Sequence, residues 1–224
     1  TSLLYRQHGN NQVGENTGWV AKIKRIKLLL AGNFRKWNTT NIMALLKVKH
    51  LLNEYKQIEQ EVGNVHLVVV SKYRSLPELE EVYACGHRNF GENRVQETLD
   101  KYEKLPKDIN WHIIGHLQTN KVKYIAPFVH LIHSVDSLNL LKEINKQAAK
   151  NERVIDCLLQ IYIATEESKF GLDFAEAEAL LEDPAFAELQ HIRIVGLMGM
   201  ASFTADEEQI RQEFQSLADF FQKN

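Results

Sequence analysis

Lys72 is the residue whose type and place most invite chemistry. It directly follows HLVVVS (His66 to Ser71), a run that reads as a buried strand, and Arg74 stands two residues further on. Burial strips water from an ammonium and a neighbouring cation repels it, so both favour the neutral amine. Only the unprotonated nitrogen attacks an aldehyde, so a lysine so placed is suited to forming a Schiff base. From spacing alone, a surface lysine that ends a strand is the simpler reading. Lys169, in EESKFG, is a rival amine, but the surrounding acids keep it protonated and it is expected to pair with Glu166 or Glu167. His112 and His116, in WHIIGH, are four residues apart. On a strand and turn that spacing does not put both on one face for a metal, and no third ligand accompanies them, so packing or hydrogen bonding is expected of both. Asn120 and Lys121 read as residues that cap and solvate the next helix rather than line a site. Cys85 and Cys157 stand alone, with no C-x-x-C or zinc spacing, which fits a reducing cytoplasm.

Other polar groups fall into clusters, and each cluster follows an apolar run: SKYR, GENR, GHLQTNK, SVDS, ATEESK and GMAS. The runs read as strands over His66 to Ser71, Asn89 to Glu92, Trp111 to Gly115, Leu131 to Val135, Asp156 to Ile163 and Ile192 to Met200. Helical patterns fill the gaps, near Leu76 to Cys85, Val95 to Glu103, Thr119 to Ile125, Leu138 to Lys150, Asp173 to Leu181 and Asp206 to Gln222. Strand and helix in strict alternation predict parallel βαβ units. Nearly unbroken apolar runs such as HLVVVS and LIHSV suit strands covered on both faces, in a doubly wound sheet or a barrel. No Gly-rich phosphate fingerprint follows the first strand, and polar clusters end nearly every strand. Both observations favour a (β/α)₈ barrel, whose active groups gather on the loops after the strands.

The chain has 224 residues, 44% of them hydrophobic and 25% charged, ordinary proportions for a globular protein with one sizeable core. Its net charge of -2 gives no general reason to expect a nucleic-acid partner. The longest near-candidate for a membrane span, Ile26 to Ala31, falls far short of the ~20 residues needed. Residues 1–42 differ in kind: seven basic residues (Arg6, Lys22, Lys24, Arg25, Lys27, Arg35, Lys36) face the single acid Glu15. This leader is read as a tag or spurious upstream translation rather than a targeting or nucleic-acid-binding arm. Met43, which opens an amphipathic helical pattern through Leu45, Leu46, Val48, Leu51, Leu52, Tyr55, Ile58 and Val62, is the expected native start, with the domain running over residues 43–224.

The segments VVVSKYR, GHRNFGENRVQE, WHIIGHLQTNK, LIHSVDS, EESKFGL and GLMGMAS occur in that order between Leu67 and Ser202. Together they resemble the successive motifs of the pyridoxal phosphate homeostasis protein family (YggS/PROSC type), and the likeness runs from about Met43 onward. The resemblance implies a TIM barrel of the alanine racemase N-terminal type that binds pyridoxal 5′-phosphate as a Schiff base, with no firmly established turnover. It makes Lys72 the anchoring lysine, reversing the reading from spacing. It also sets Asn93 of FGEN beside the cofactor, with Met200 and Ser202 of MGMAS flanking its ring. Expected partners are the cofactor and the pyridoxal-dependent apoenzymes that receive it, with no nucleic acid and no membrane; the complete protein is expected to be a cytoplasmic monomer. The alternative is a pyridoxal-dependent enzyme such as an amino-acid racemase, in which Tyr73 or Tyr162 would have to supply the second acid/base group.

Chains of this family continue with a second SMGMS-like strand and a GST-like segment that holds the cofactor's phosphate, whereas this sequence stops at Asn224 after about six βα units. Six units cannot close an eight-stranded barrel of the usual ~250 residues. The expectation is a truncated barrel that keeps the anchor without its phosphate cradle. Its first and sixth strands would be left as apolar edges, making it marginally stable.

Overall fold

The computed structural model describes residues 53, 55–58, 60, 61, 63–164 and 170–223. The basic leader, the start of the pattern at Met43 and the expected pairing of Lys169 lie outside those residues. The amphipathic pattern reappears at residues 53, 55–58, 60 and 61, which are helical.

Six strands form one sheet: β1 (Val69–Val70), β2 (Asn89–Glu92), β3 (Asn110–Ile113), β4 (Val129–Val135), β5 (Ile155–Ile161) and β6 (Ile192–Gly199). They pair in the order β1-β2-β3-β4-β5-β6, and every pairing is parallel. A doubly wound sheet reverses its strand order at a switch point. This one never does, so all the crossovers wind the same way, as in the barrel folds. Between the strands lie α1 (Leu76–Ala84), α2 (Val95–Lys104), a 3₁₀ turn (Thr119–Lys121) leading into α3 (Val122–Ile125), α4 (Leu138–Lys150), α5 (Phe174–Glu182) and α6 (Pro184–Ala187). Helix α7 (Glu207–Lys223) follows β6.

The departures from the expected elements have local causes. The first strand is two residues long because Ser71 leaves the ladder after one more bond, Ser71 N to Gly91 O (2.9 Å), and the chain turns at Lys72. In the fifth unit Pro184, which has no N–H, interrupts the helix, and Asp183 restarts it by accepting from Ala185 N at 2.8 Å. The other helix starts follow their sequence signals. Ser75 with Glu78 and Asp173 with Glu176 form capping boxes, and Ser137 accepts from Leu140 N. Asn120 and Lys121 do not cap through their side chains: Gln118 precedes the 3₁₀ turn, and no side-chain bond is made at either start.

The sheet's two faces are packed differently. On the helix side, Ile113, Ile132, Val135, Ile155, Cys157, Leu159 and Ile161 meet Leu140, Leu141 and Ile144 of α4 together with Ala177 and Leu180 of α5. A second cluster, Phe90, Trp111, Leu79, Leu105 and Ile109, seals the β2–β3 end. Cys157 of β5 is fully buried in the first of these clusters, and burial pushes its thiol up to about 12, so it behaves as a small hydrophobe. The inner face carries a smaller apolar cluster of Leu131, Leu158 and Met198, with Met200 against it.

Two buried histidines lie along the middle strands. His112 Nδ1 and His133 Nε2 are 2.8 Å apart, and His130 lies close enough for its ring to tilt against that of His112 at 5.3 Å. The hydrogen bond expected of His112 is therefore made. Burial, then the neighbouring imidazoles, pull His112 down to about 2, and burial chiefly pulls His133 down to about 4. The unfolded chain thus binds protons near pH 6.5 that the folded chain refuses. Stability is complete above that pH and drains away as the pH falls towards the folded-state values.

Two outcomes follow from this packing. Ile144→Ala should lower the unfolding free energy by about 2–5 kcal/mol in a denaturant titration, whereas exposed Lys142→Ala should change it by less than about 0.5 kcal/mol. Between pH 6 and pH 4 the same titration should lose stability by up to about 1.4 kcal/mol per pH unit for each of His112 and His133. A flat profile in the wild type would count against neutral buried imidazoles.

Candidate functional site

Each residue singled out from the sequence as a cofactor contact stands at the carboxyl end of a strand. Lys72 follows β1 in a tight turn closed by Arg74 N donating to Ser71 O (3.0 Å), so Lys72 and Tyr73 are its central residues. Tyr73 has φ 60°, a left-handed conformation that costs a non-glycine residue about 1 kcal/mol or more unless its surroundings hold it. Lys72 itself is half-buried. The like charge expected from Arg74 is offset, because Arg74 pairs with Glu78 at 3.4 Å one helical turn on.

The support for this turn comes from α2. Lys101 Nζ donates to Ser71 O (2.8 Å), to Glu92 Oε1 (2.7 Å) and to Glu97 Oε1 (2.6 Å), using all three of its donors. Ser71 Oγ donates to Glu92 Oε1 (2.5 Å), and Tyr73 N donates to Glu97 Oε1 (2.6 Å). Lys101 is 5% exposed and Glu92 0%, so both are taken out of water and held by one another, by Glu97 and by Ser71. Burial raises the Glu92 carboxyl above its ordinary value against the opposing pull of Lys101 and Ser71, and its Oε2 makes no hydrogen bond. Sequence reasoning passed over this cluster because a lysine in a polar helix reads as solvated. The available signal was its spacing: Thr98 and Lys101, three residues apart and both buried, share the inward stripe of α2.

Asn93 follows β2 and is half-buried. A Cβ built on Gly115, at the end of the neighbouring β3, would lie 2.9 Å from Asn93 Cα, Cβ and Cγ. Only glycine lets the asparagine sit there. The Gly115 carbonyl in turn accepts from Ser134 Oγ of β4 (2.5 Å). Beyond Gly115, His116 is exposed, with its Nδ1 3.1 Å from Asp136 Oδ2 and its ring stacked on Phe170 (centroids 4.9 Å apart). His116, Asp136, Gln118, Asn120 and Ser137 line an open polar cleft between the ends of β3 and β4. Asn120, read as a cap from sequence, belongs to this cleft.

Met200 and Ser202 follow β6, at the opposite edge of the sheet from Lys72. Met200 packs on the inner-face cluster. Ser202 is buried and bound twice to Glu213 of α7, through N to Oε2 (2.6 Å) and Oγ to Oε1 (2.6 Å). That contact, unforeseen from sequence, ties the loop after β6 to the helix behind it. Lys72 and Asn93 are thus brought together on adjacent strand ends, whereas Met200 and Ser202 share only the same rim.

This donor set fits the reactive end of a pyridoxal ring. A primary amine stands at one strand end and an amide side chain at the next, while across the sheet half-buried Met200 covers the buried cluster of Leu131, Leu158 and Met198.

Comparison with known proteins bears on the fold and the family. Residues 46–224 match the family model described as alanine racemase, N-terminal domain. The pyridoxal phosphate homeostasis protein of Aquifex aeolicus is 43% identical over 142 residues, 63% of this chain and 61% of the relative. That of Vibrio alginolyticus is 30% identical over 180 residues, 76% of each chain. The chain thus spans about three fifths of the length of the first curated relatives it matches. Among solved structures, PipY of Synechococcus elongatus PCC7942 with PLP bound is similar with a TM-score of 0.69 at 31% identity, over 77% of this chain and 80% of PipY. With its sequential parallel strands, its strand-end lysine and a match of this extent, the chain belongs to the alanine racemase N-terminal domain family and, within it, to the pyridoxal phosphate homeostasis proteins.

Proposed function

We propose that this chain binds pyridoxal 5′-phosphate through Lys72 and serves the intracellular homeostasis of that cofactor, holding a reactive aldehyde and handing it on to pyridoxal-dependent apoenzymes. The observation that carries the reading is the turn after β1, which presents a half-buried lysine at the carboxyl rim of a parallel sheet with both neighbouring peptide groups tied down. PipY, similar over 77% of this chain, is described with PLP bound. Bound there, the cofactor would supply an aldehyde carbon, the electrophile that an unprotonated lysine amine can engage covalently.

The remaining work is done by the protein. Lys72 would offer the nitrogen, with Asn93 beside the cofactor and Met200 and Ser202 in the segment that would flank its ring. Gly115 leaves the room that Asn93 occupies. In this reading residues 43–224 belong to the cofactor-binding domain and the complete protein is a cytoplasmic monomer.

Borohydride reduction of the chain mixed with pyridoxal 5′-phosphate, followed by digestion and mass analysis, should place the label on Lys72 and lose it in Lys72→Ala. A label on Lys121 or Lys169 instead would overturn the assignment. Gly115→Ala should weaken cofactor binding about tenfold, roughly 1.4 kcal/mol, by displacing Asn93. Adding Asn93→Ala to that variant should then cost little more, because the two changes remove one contact. Additive losses would show that Gly115 acts elsewhere.

A further inference from the structure

The two peptide groups that flank Lys72 are held by one buried ammonium, one directly and the other through Glu97. On the Ser71 side, the carbonyl joined to the Lys72 nitrogen accepts from Lys101 Nζ at 2.8 Å. On the Tyr73 side, the N–H donates to Glu97 Oε1 at 2.6 Å, and the same oxygen accepts from Lys101 Nζ at 2.6 Å. Glu92 closes the set from the neighbouring strand, bound to Lys101 and to Ser71 Oγ. We propose that Lys101, acting with Glu97, is a positioning residue for Lys72, clamping the backbone on both sides of it so that its amine is aimed at the bound aldehyde. The proposal rests on the reading of Lys72 as the anchoring lysine.

Three features make this more than a structural ion pair. The left-handed conformation at Tyr73 is held by the Glu97 bond to its own N–H, and strain of this kind persists where the surroundings over-determine it. Lys101 has no remaining donor, so any shift in the turn must break one of its three bonds rather than slide along a surface. And the clamp meets the turn at Ser71 and Tyr73, the two residues that flank Lys72. Addition of an amine to a carbonyl is sensitive to approach geometry, and a displacement of about 1 Å can cost about a hundredfold in rate.

The test uses the full chain with pyridoxal 5′-phosphate as the probe. In the wild type, the exposed Tyr73 amide should exchange with solvent about a hundredfold more slowly than an unstructured one. Glu97→Ala should abolish that protection and slow formation of the borohydride-trappable bond about tenfold or more. It should leave non-covalent affinity unchanged when measured in the Lys72→Ala background, a split that general destabilisation would not produce. Lys101→Met, made together with Glu92→Gln so that no unpaired charge is buried, should slow bond formation equally, and Glu97→Gln, which keeps the acceptor oxygen, should restore most of the rate. An unprotected Tyr73 amide in the wild type, or a rate within twofold of wild type in Glu97→Ala, would overturn the clamp. If neither of the two disruptive variants folds, the exchange measurement and Glu97→Gln decide. A wild-type chain that traps no label on Lys72 sinks the anchoring role and the clamp together, whereas a label on Lys72 formed at an unchanged rate in Glu97→Ala sinks the clamp alone.

Discussion

A parallel strand cannot be joined to its neighbour by a tight turn; the chain must cross back over a face of the sheet before it can pair again. Here that constraint is met five times in the same direction, from β1 to β6, with a helical connection each time. All strand ends of one polarity therefore fall along one rim. Lys72, Asn93, Gly115, Asp136 and Met200 come from distant parts of the sequence, yet they share that rim because every strand points to it. The apolar interior between sheet and helices makes the arrangement stiff: Ile113, Ile132, Leu159 and Ile144 are fully buried and leave the strands no freedom to slide.

Within that apolar frame two groups of buried polar side chains stand out among the described residues, although Glu92 Oε2 and His112 Nε2 in them make no hydrogen bond. The Lys101 cluster places a cation and two carboxylates against the back of the β1–β2 edge, where the attraction between them is strong and removal of one partner strands the others. The His112–His133 pair does the analogous job in neutral form between β3 and β4. The first cluster sits where the ladder is shortest. Strand β1 contributes only two ladder residues, so hydrogen bonds from side chains stand in for backbone pairing that the strand lacks. The two-residue strand that leads into Lys72 is thereby held by side chains as well as by its ladder.

The alternation of strand and helix was legible in the chain because each run keeps its own period, as in HLVVVS and IDCLLQI against LNLLKEINKQAAK. Parallel topology followed from that alternation, and the ordered motifs singled out Lys72 where spacing alone favoured a surface residue. Boundaries were less legible. Pro184 splits the fifth helix, and Asn120 lies in a cleft rather than capping, because both outcomes depend on which backbone groups already have partners.

The sequence by itself determined the order of the elements, the polarity of the strand ends and the identity of the lysine at the rim, since each is written in local pattern or in motif order. Only the tertiary structure decided what surrounds that lysine. The Lys101 cluster joins residues from β1, β2 and α2, and Asn93 owes its place to a glycine on the next strand. Neither relation leaves a periodic trace, because hydrogen bonding and steric room between elements depend on distances in space rather than along the chain.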